Sequence, residues 1–298
     1  MKYRRLPRTD LRLSEIGFGC MSLDLQSDQN SRLIKQAIEG GINYFDTADL
    51  YSQGDNETLL GKVLKAKRKD VIIATKVGNE RRPNGNSWDW NPSKDYILKA
   101  IDKSLQRLQT DYIDIYQLHG GTIDDPMEEA IEAFEILKAQ GKIRHYGISS
   151  IRPNVIREYV AKSNIVSAMM QYSLLDRRLE ENVMNLLSEN SVGLIVRGAL
   201  AKGVLAGRSV SDYLDYSSQS VENLMDKLRV FSNEKTPLSH LALQWVLSHK
   251  EVTSVALGIR TVDQLNEALN FRQSTALTEE DLNNLSSVLV PNVYNNHH

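Results

Sequence analysis

Short apolar runs alternate with amphipathic stretches along the whole chain. Eight runs read as strands: LSEIGFG (13–19), INYFDTA (42–48), DVIIATKV (70–77), DYIDIYQLH (111–119), IRHYGISS (143–150), VSAMMQYS (166–173), GLIVRGAL (193–200) and VTSVALG (252–258). Each is short, rich in Val and Ile, and bounded by Gly, Asn or Asp. Between them lie helical patterns. Residues 31–39 place Leu33, Ile34, Ala37 and Ile38 on one face. Ser93 opens KDYILKAIDKSLQRL; MEEAIEAFEILKAQ follows Asp125-Pro126 and stops at Gly141; Thr278 with Glu280 opens a final helix. Near-continuous apolar strands are those buried on both faces, as in a parallel sheet. The first turn, GFGCMSL, lacks the GxGxxG of an open dinucleotide-binding sheet. Eight strand–helix repeats therefore predict one (β/α)8 TIM barrel domain over residues 1–298, with a short N-terminal hairpin in KYRRLPRTDLRL.

Two segments exceed ordinary connections: 78–92 after strand three and 207–234 after strand seven. Both are expected as functional loops on the C-terminal face, where barrel active sites are built.

Composition excludes several classes. The chain has 298 residues, 41% hydrophobic and 25% charged, with 36 basic and 38 acidic side chains and a net charge of −2. No basic stripe points to nucleic acid or a membrane surface. The single cysteine, Cys20, allows no internal disulfide and fits a reducing compartment. No signal-peptide core or membrane-length apolar run is present, so the expected location is cytoplasmic. No metal ion is expected.

Candidate chemistry sits at strand ends. Strand two ends in Asp46, with Tyr51 five residues on; strand three ends in Lys76 and strand four in His119. Singly each has a structural reading: Asp46 as a loop anchor, Tyr51 as loop packing, His119 as a satisfied imidazole. A lysine closing an apolar run needs a partner. His145, near the start of strand five, belongs to the opposite face and reads as structural. Together the four make a unit. A phenol near pKa 10 needs a drop of about 3 units, or roughly 4 kcal/mol, to work at neutral pH. An ammonium about 4 Å away at an effective dielectric of about 20 offers that much. Lys76 is thus expected to tune Tyr51 downward, Asp46 to orient Lys76, and His119 to hold a substrate oxygen.

FDTADLY, TKVG and QLHG together resemble the aldo-keto reductase superfamily, and the likeness runs from IGFGCM through GISS, MQYSLLDRR and RGALAKGVLAG to GIRTVDQLNEAL. It is closest to bacterial NADPH-dependent members with an arginine in strand seven. The resemblance implies a carbonyl reductase with Tyr51 as general acid, Lys76 and Asp46 setting its pKa, and His119 orienting the carbonyl. It implies NADPH lying extended across the barrel mouth. Gly19, Cys20 and Met21 would approach the nicotinamide riboside, and Ser149 and Gln171 would hold the carboxamide. Arg197, Gly198, Leu200, Lys202 and Gly203 match the pyrophosphate stretch. Gly258, Arg260, Gln264 and Glu267 match the 2′-phosphate and adenine site, where a guanidinium can engage two phosphate oxygens. Two positions depart from the family: Arg197 replaces a common stacking aromatic, and Ala268 a common asparagine.

Trp88 and Trp90 are candidate walls of an apolar substrate pocket, or pins for their loop. The expected substrates are small aldehydes such as nitrobenzaldehydes or methylglyoxal. Arg81, Arg82 and Arg177 would instead suit an acidic or phosphorylated carbonyl. Two other readings stay open: a nicotinamide-binding, redox-sensing regulatory subunit with little turnover, and a Schiff-base aldolase built on Lys76.

Overall fold

The computed structural model describes residues 1–82 and 87–297. The strands in chain order are β1 (Tyr3–Arg5), β2 (Arg12–Ser14), β3 (Ile16–Gly19), β4 (Tyr44–Asp46), β5 (Ile72–Val77), β6 (Asn79–Arg81), β7 (Trp88–Trp90), β8 (Ile113–Leu118), β9 (Ile143–Ser149), β10 (Ser167–Gln171), β11 (Gly193–Arg197) and β12 (Val252–Gly258). Eight of them, β3-β4-β5-β8-β9-β10-β11-β12, form a closed barrel in which β12 returns to β3. Every neighbouring pair is parallel. Helices connect successive barrel strands, so the expected (β/α)8 architecture is the one present.

Strand alternation decides what the lumen holds. Successive side chains on a strand point to opposite faces. Tyr44, Ile72, Ala74, Ile115, Met169 and Ile195 form one buried cluster with Leu6, Leu11 and Leu13 of the β1–β2 hairpin. The hairpin leucines stopper the N-terminal end of the barrel. A larger cluster lies between the strands and the helices. Two residues beyond the last apolar lumen residue of five strands, the same face presents Asp46 after Tyr44, Lys76 after Ala74, Gln117 after Ile115, Gln171 after Met169 and Arg197 after Ile195. One polar layer is thereby stacked on the apolar layer, at the C-terminal end.

Four expectations change. Leu13 and Ser14 belong to the hairpin, where Ser14 pairs with Tyr3 and Leu13 is wholly buried, so the first barrel strand starts only at Ile16. Residues 207–234 are not an open loop over the mouth. They contain the helix Ser218–Phe231, capped by Ser217, with Val221, Leu224, Met225 and Leu228 buried at helical spacing. Within 78–92, β6 and β7 pair antiparallel, with Arg82 bound to Asp89; positions 83–86 of that predicted loop lie outside the described residues. The last helix, Glu279–Ser286, starts at Thr278 as expected, but its capping box uses Asp281 rather than Glu280. Among the described residues, no helix is long and apolar enough to cross a membrane.

At Gly17 on β3 the lumen leaves no room for a side chain: a Cβ there would stand 2.3 Å from Tyr44 Cδ1. Tyr44 is fully buried and cannot swing aside freely. Gly17→Ala should therefore cost about 1–3 kcal/mol, the usual penalty of overpacking, read from urea unfolding at constant m-value.

Candidate active site

The polar layer converges on one ammonium. Lys76 is 1% exposed, and its Nζ donates to Asp46 Oδ1 at 2.7 Å, to Thr47 O at 2.7 Å and to Tyr51 Oη at 3.3 Å. Three donors meet three oxygens. Asp46 Oδ2 accepts from Gln117 Nε2 and Tyr44 Oη, each at 3.5 Å. The His119 ring meets Tyr51 edge-on, with centroids 5.9 Å apart, and its Nδ1 is buried without a hydrogen-bond partner. Asp46, Tyr51, Lys76 and His119 are thus together at the C-terminal end. His145 points elsewhere: its Nε2 faces Asp10, beyond the hairpin strand β1, at 3.9 Å.

Ionisation follows from burial and charge. Burial pulls Lys76 down, but Asp46 and Tyr51 outweigh it and hold the ammonium above its ordinary range. Burial pushes the Tyr51 phenol above its usual value; Lys76 pulls it down without overcoming this. The expected net downward tuning of Tyr51 is therefore not what the folded chain produces. Burial, helped by Lys76 and Arg197, brings His119 down to about 3, so its imidazole is neutral at physiological pH. A charged Lys76 with all its donors committed has no free amine lone pair, which argues against a Schiff-base role.

The remaining candidates lie along an arc of strand ends. Gly19 ends β3 in register with Gly258 on β12, and a Cβ on Gly19 would sit 3.2 Å from Leu257 backbone. Cys20 is fully buried, with its thiol pushed up by burial, while Met21 is 70% exposed. Ser149 is buried at the end of β9. Gln171 and Arg197 are register partners, and Gly198 (φ 70°) turns the chain beside Gln171. Half-buried Leu200 leads into a tight turn in which Lys202 and Gly203 are left-handed. Arg260 is exposed; its backbone N–H donates to Gln264 Oε1 at 2.9 Å at the start of the helix Val262–Asn270. The exposed Glu267 accepts from Ser239, and neighbouring Ala268 is buried toward the core, so position 268 offers no polar contact outward. Among the described residues, Arg197, Lys202 and Arg260 enter no ion pair. Three uncommitted cations along one rim fit an elongated ligand bearing phosphates.

Comparison with known proteins decides the family. The model of the aldo/keto reductase family matches residues 15–290. The chain belongs to the aldo/keto reductase family. This aldo-keto reductase is 45% identical to the uncharacterized oxidoreductase YqkF of Bacillus subtilis, over 100% of this chain and 99% of that one. It is similar to the holo form of aldo-keto reductase AKR11C1 from Bacillus halodurans: TM-score 0.93, 50% identity, covering 100% and 99% of the two chains. It is 29% identical to the NADH-specific methylglyoxal reductase of Escherichia coli, over 93% and 96%. The family is one of oxidoreductases that use nicotinamide cofactors.

Other side chains around this aldo-keto reductase's site differ from expectation. Arg177 is buried, held by both oxygens of Glu180 and donating to Ser286 O, so it is a structural clamp and not a free substrate ligand. Arg82 is committed to Asp89, and Arg81 donates to Gln53 Oε1 at 3.3 Å. Trp90 Nε1 donates to Asp125 and its ring covers Gly78 and Gly120, which pins the hairpin; Trp88 is about half exposed. The sequence reading missed Gln117, Thr47 and Asn56. Asn56 donates to Cys20 O at 2.8 Å and accepts from Thr47 Oγ1 at 2.6 Å, tying the ends of β3 and β4 together. Gln117 was legible as the lumen-facing residue two before His119; Asn56 carried no comparable signal.

Removing one partner of the buried pair leaves the other charge stranded. Asp46→Ala should destabilise the fold by about 3 kcal/mol or more, measured by chemical denaturation, while the truncation Asp102→Ala at an exposed pair should cost about 1 kcal/mol at most.

Proposed function

We propose that the chain reduces aldehydes or ketones to alcohols with NADPH, and that Tyr51 is the proton donor. What carries this is the single contact set of Lys76 Nζ, bonded to Asp46 and to Tyr51 beside a neutral His119. A reduced nicotinamide, when bound, supplies the hydride to the carbonyl carbon. Tyr51 gives its phenolic proton to the carbonyl oxygen. Lys76, 3.3 Å from Tyr51 Oη, is charged throughout and stabilises the phenolate left behind. Asp46 and Thr47 O keep the ammonium in place. A neutral His119 adds no positive charge to the site and can hold the carbonyl oxygen by an N–H bond.

Gly19, Cys20, Met21, Ser149 and Gln171 would seat the nicotinamide end. Arg197, Gly198, Leu200, Lys202 and Gly203 would take the pyrophosphate, and Gly258, Arg260, Gln264 and Glu267 the adenosine end. The preference for NADPH over NADH rests on Arg260, exposed and free of an acidic partner among the described residues, at a helix start. The Escherichia coli relative named NADH-specific is the reason to test the preference directly.

Tyr51→Phe should lower kcat for aldehyde reduction by about 10²–10⁴-fold, the usual worth of a positioned acid, while NADPH binding measured by fluorescence changes little. Undiminished turnover in that variant would sink the assignment. Arg260→Ala should weaken NADPH about tenfold or more and NADH barely, as expected for loss of one charge-assisted phosphate contact. Equal loss for both cofactors would remove the 2′-phosphate role.

A further inference from the structure

Immediately after Tyr51 the backbone enters conformations that L residues rarely adopt. Ser52 and Gln53 have φ of 45° and 61°, and Gly54 follows at 92°. Such a turn persists only where its surroundings hold it. Its support is Arg107: a Cβ at Gly54 would lie 2.8 Å from Arg107 Cδ and Nε. Arg107 is itself fixed by Glu57, with Nε at 2.7 Å from Oε2. Glu57 is fully buried and also accepts from Thr75 Oγ1 at 2.6 Å and Ser104 Oγ at 3.3 Å. The single guanidinium charge is therefore already matched by one carboxylate.

Asp49, two residues before Tyr51, brings a second carboxyl group to the same place. Its Oδ1 is buried and has no hydrogen-bond partner. The charges of Glu57 on the helix Asp55–Leu64, Arg107 on the helix Lys94–Leu108 and Lys76 on β5 reach it, the Leu50 backbone N–H bonds to it, and its own charge would reach Tyr96 on the helix Lys94–Leu108 and Tyr116 on β8. The Tyr116 hydroxyl is buried without a partner as well. Lys76 is committed to Asp46, and Arg107 to Glu57. The two cations that reach Asp49 among the described residues are thus each already shared with another carboxylate.

We propose that Asp49 is a positioning residue for Tyr51: neutral, it lets the Tyr51–Gly54 turn rest on Arg107; ionised beside Glu57, it loosens that turn. Asp49 and Tyr51 share one short segment whose backbone is tied down on both sides of them: Asp49 N–H reaches Lys76 O at 3.4 Å and Tyr51 N–H donates to Ala48 O at 3.1 Å. Burial and the Glu57 charge hold the Asp49 carboxyl up at about 7, so the change falls within the working pH range. The inference rests on Tyr51 being the proton donor.

The test is kcat and KM for aldehyde reduction by the full chain from pH 5.5 to 9, in wild type, Asp49→Asn and Glu57→Gln. Wild-type kcat should fall about threefold or more between pH 6 and 8.5 with little change in KM, as for loss of one required protonation state. Asp49→Asn should keep its low-pH rate throughout. Glu57→Gln removes the like charge and should move the fall to lower pH. Stability gives a second readout. A carboxyl raised on folding contributes stability present below about pH 4 and lost as pH rises through about 7. Asp49→Asn should accordingly gain thermal stability over wild type at pH 8.5 and not at pH 4. A fall in kcat that persists unchanged in Asp49→Asn, or a flat wild-type profile, overturns the proposal. Full activity in Tyr51→Phe would instead overturn the proton donor, and is read separately.

Discussion

The constraint on which the site depends is that an ammonium cannot stay charged inside a barrel without oxygens around it. Lys76 is buried at the level where the lumen changes from apolar to polar. Desolvating the ion costs several kcal/mol, and only a close carboxylate with further hydrogen bonds repays this. Asp46 supplies the charge, Thr47 the carbonyl, and Tyr51 the third acceptor. The geometry of Tyr51 is thus a consequence of satisfying Lys76. Gln117 and Tyr44 then complete the shell of Asp46 from two further positions on the barrel wall.

This arrangement is laid down by strand parity. The residues that line the stoppered, apolar half of the lumen and those that line its polar mouth are the same faces of the same strands, two residues apart. The N-terminal half is filled by leucines from the first hairpin, which excludes water from below. The C-terminal half is where the side chains have unspent hydrogen-bonding capacity. Fold and site are therefore one pattern read at two heights.

Much of this pattern was legible in the amino-acid sequence. Val252–Gly258 has the bounds that its apolar run predicts, and Ser93 and Thr278 cap the helices that they open. Lys76 at the end of a β-branched run announced itself, because a cation there must have a partner. What was not legible depended on distant chain segments. Leu13 looks like barrel strand and is instead a plug, because Tyr3–Arg5 competes for its neighbours. Arg177 resembles a surface cation until Glu180 and the chain near Ser286 close over it. In the stretch 207–234, Val221, Leu224, Met225 and Leu228 have helical spacing, but the flanking polar residues mask the period.

The balance at Tyr51 changes what its lysine is for. Coulomb attraction alone suggests an ammonium that brings the phenol toward neutrality. In the folded chain burial outweighs that attraction, and the phenol is held above its ordinary value. For the proposed reduction this is the useful direction. A donor must carry its proton when the carbonyl arrives, and a depressed phenol would be partly spent. The cost appears later, when the proton has left and a phenolate stands in a desolvated site. There the ammonium at 3.3 Å acts at full strength, because it faces a charge that it did not face before. Lys76 thereby favours the transferred state over the resting one, which is the condition for an interaction to lower a barrier and not merely to tighten binding.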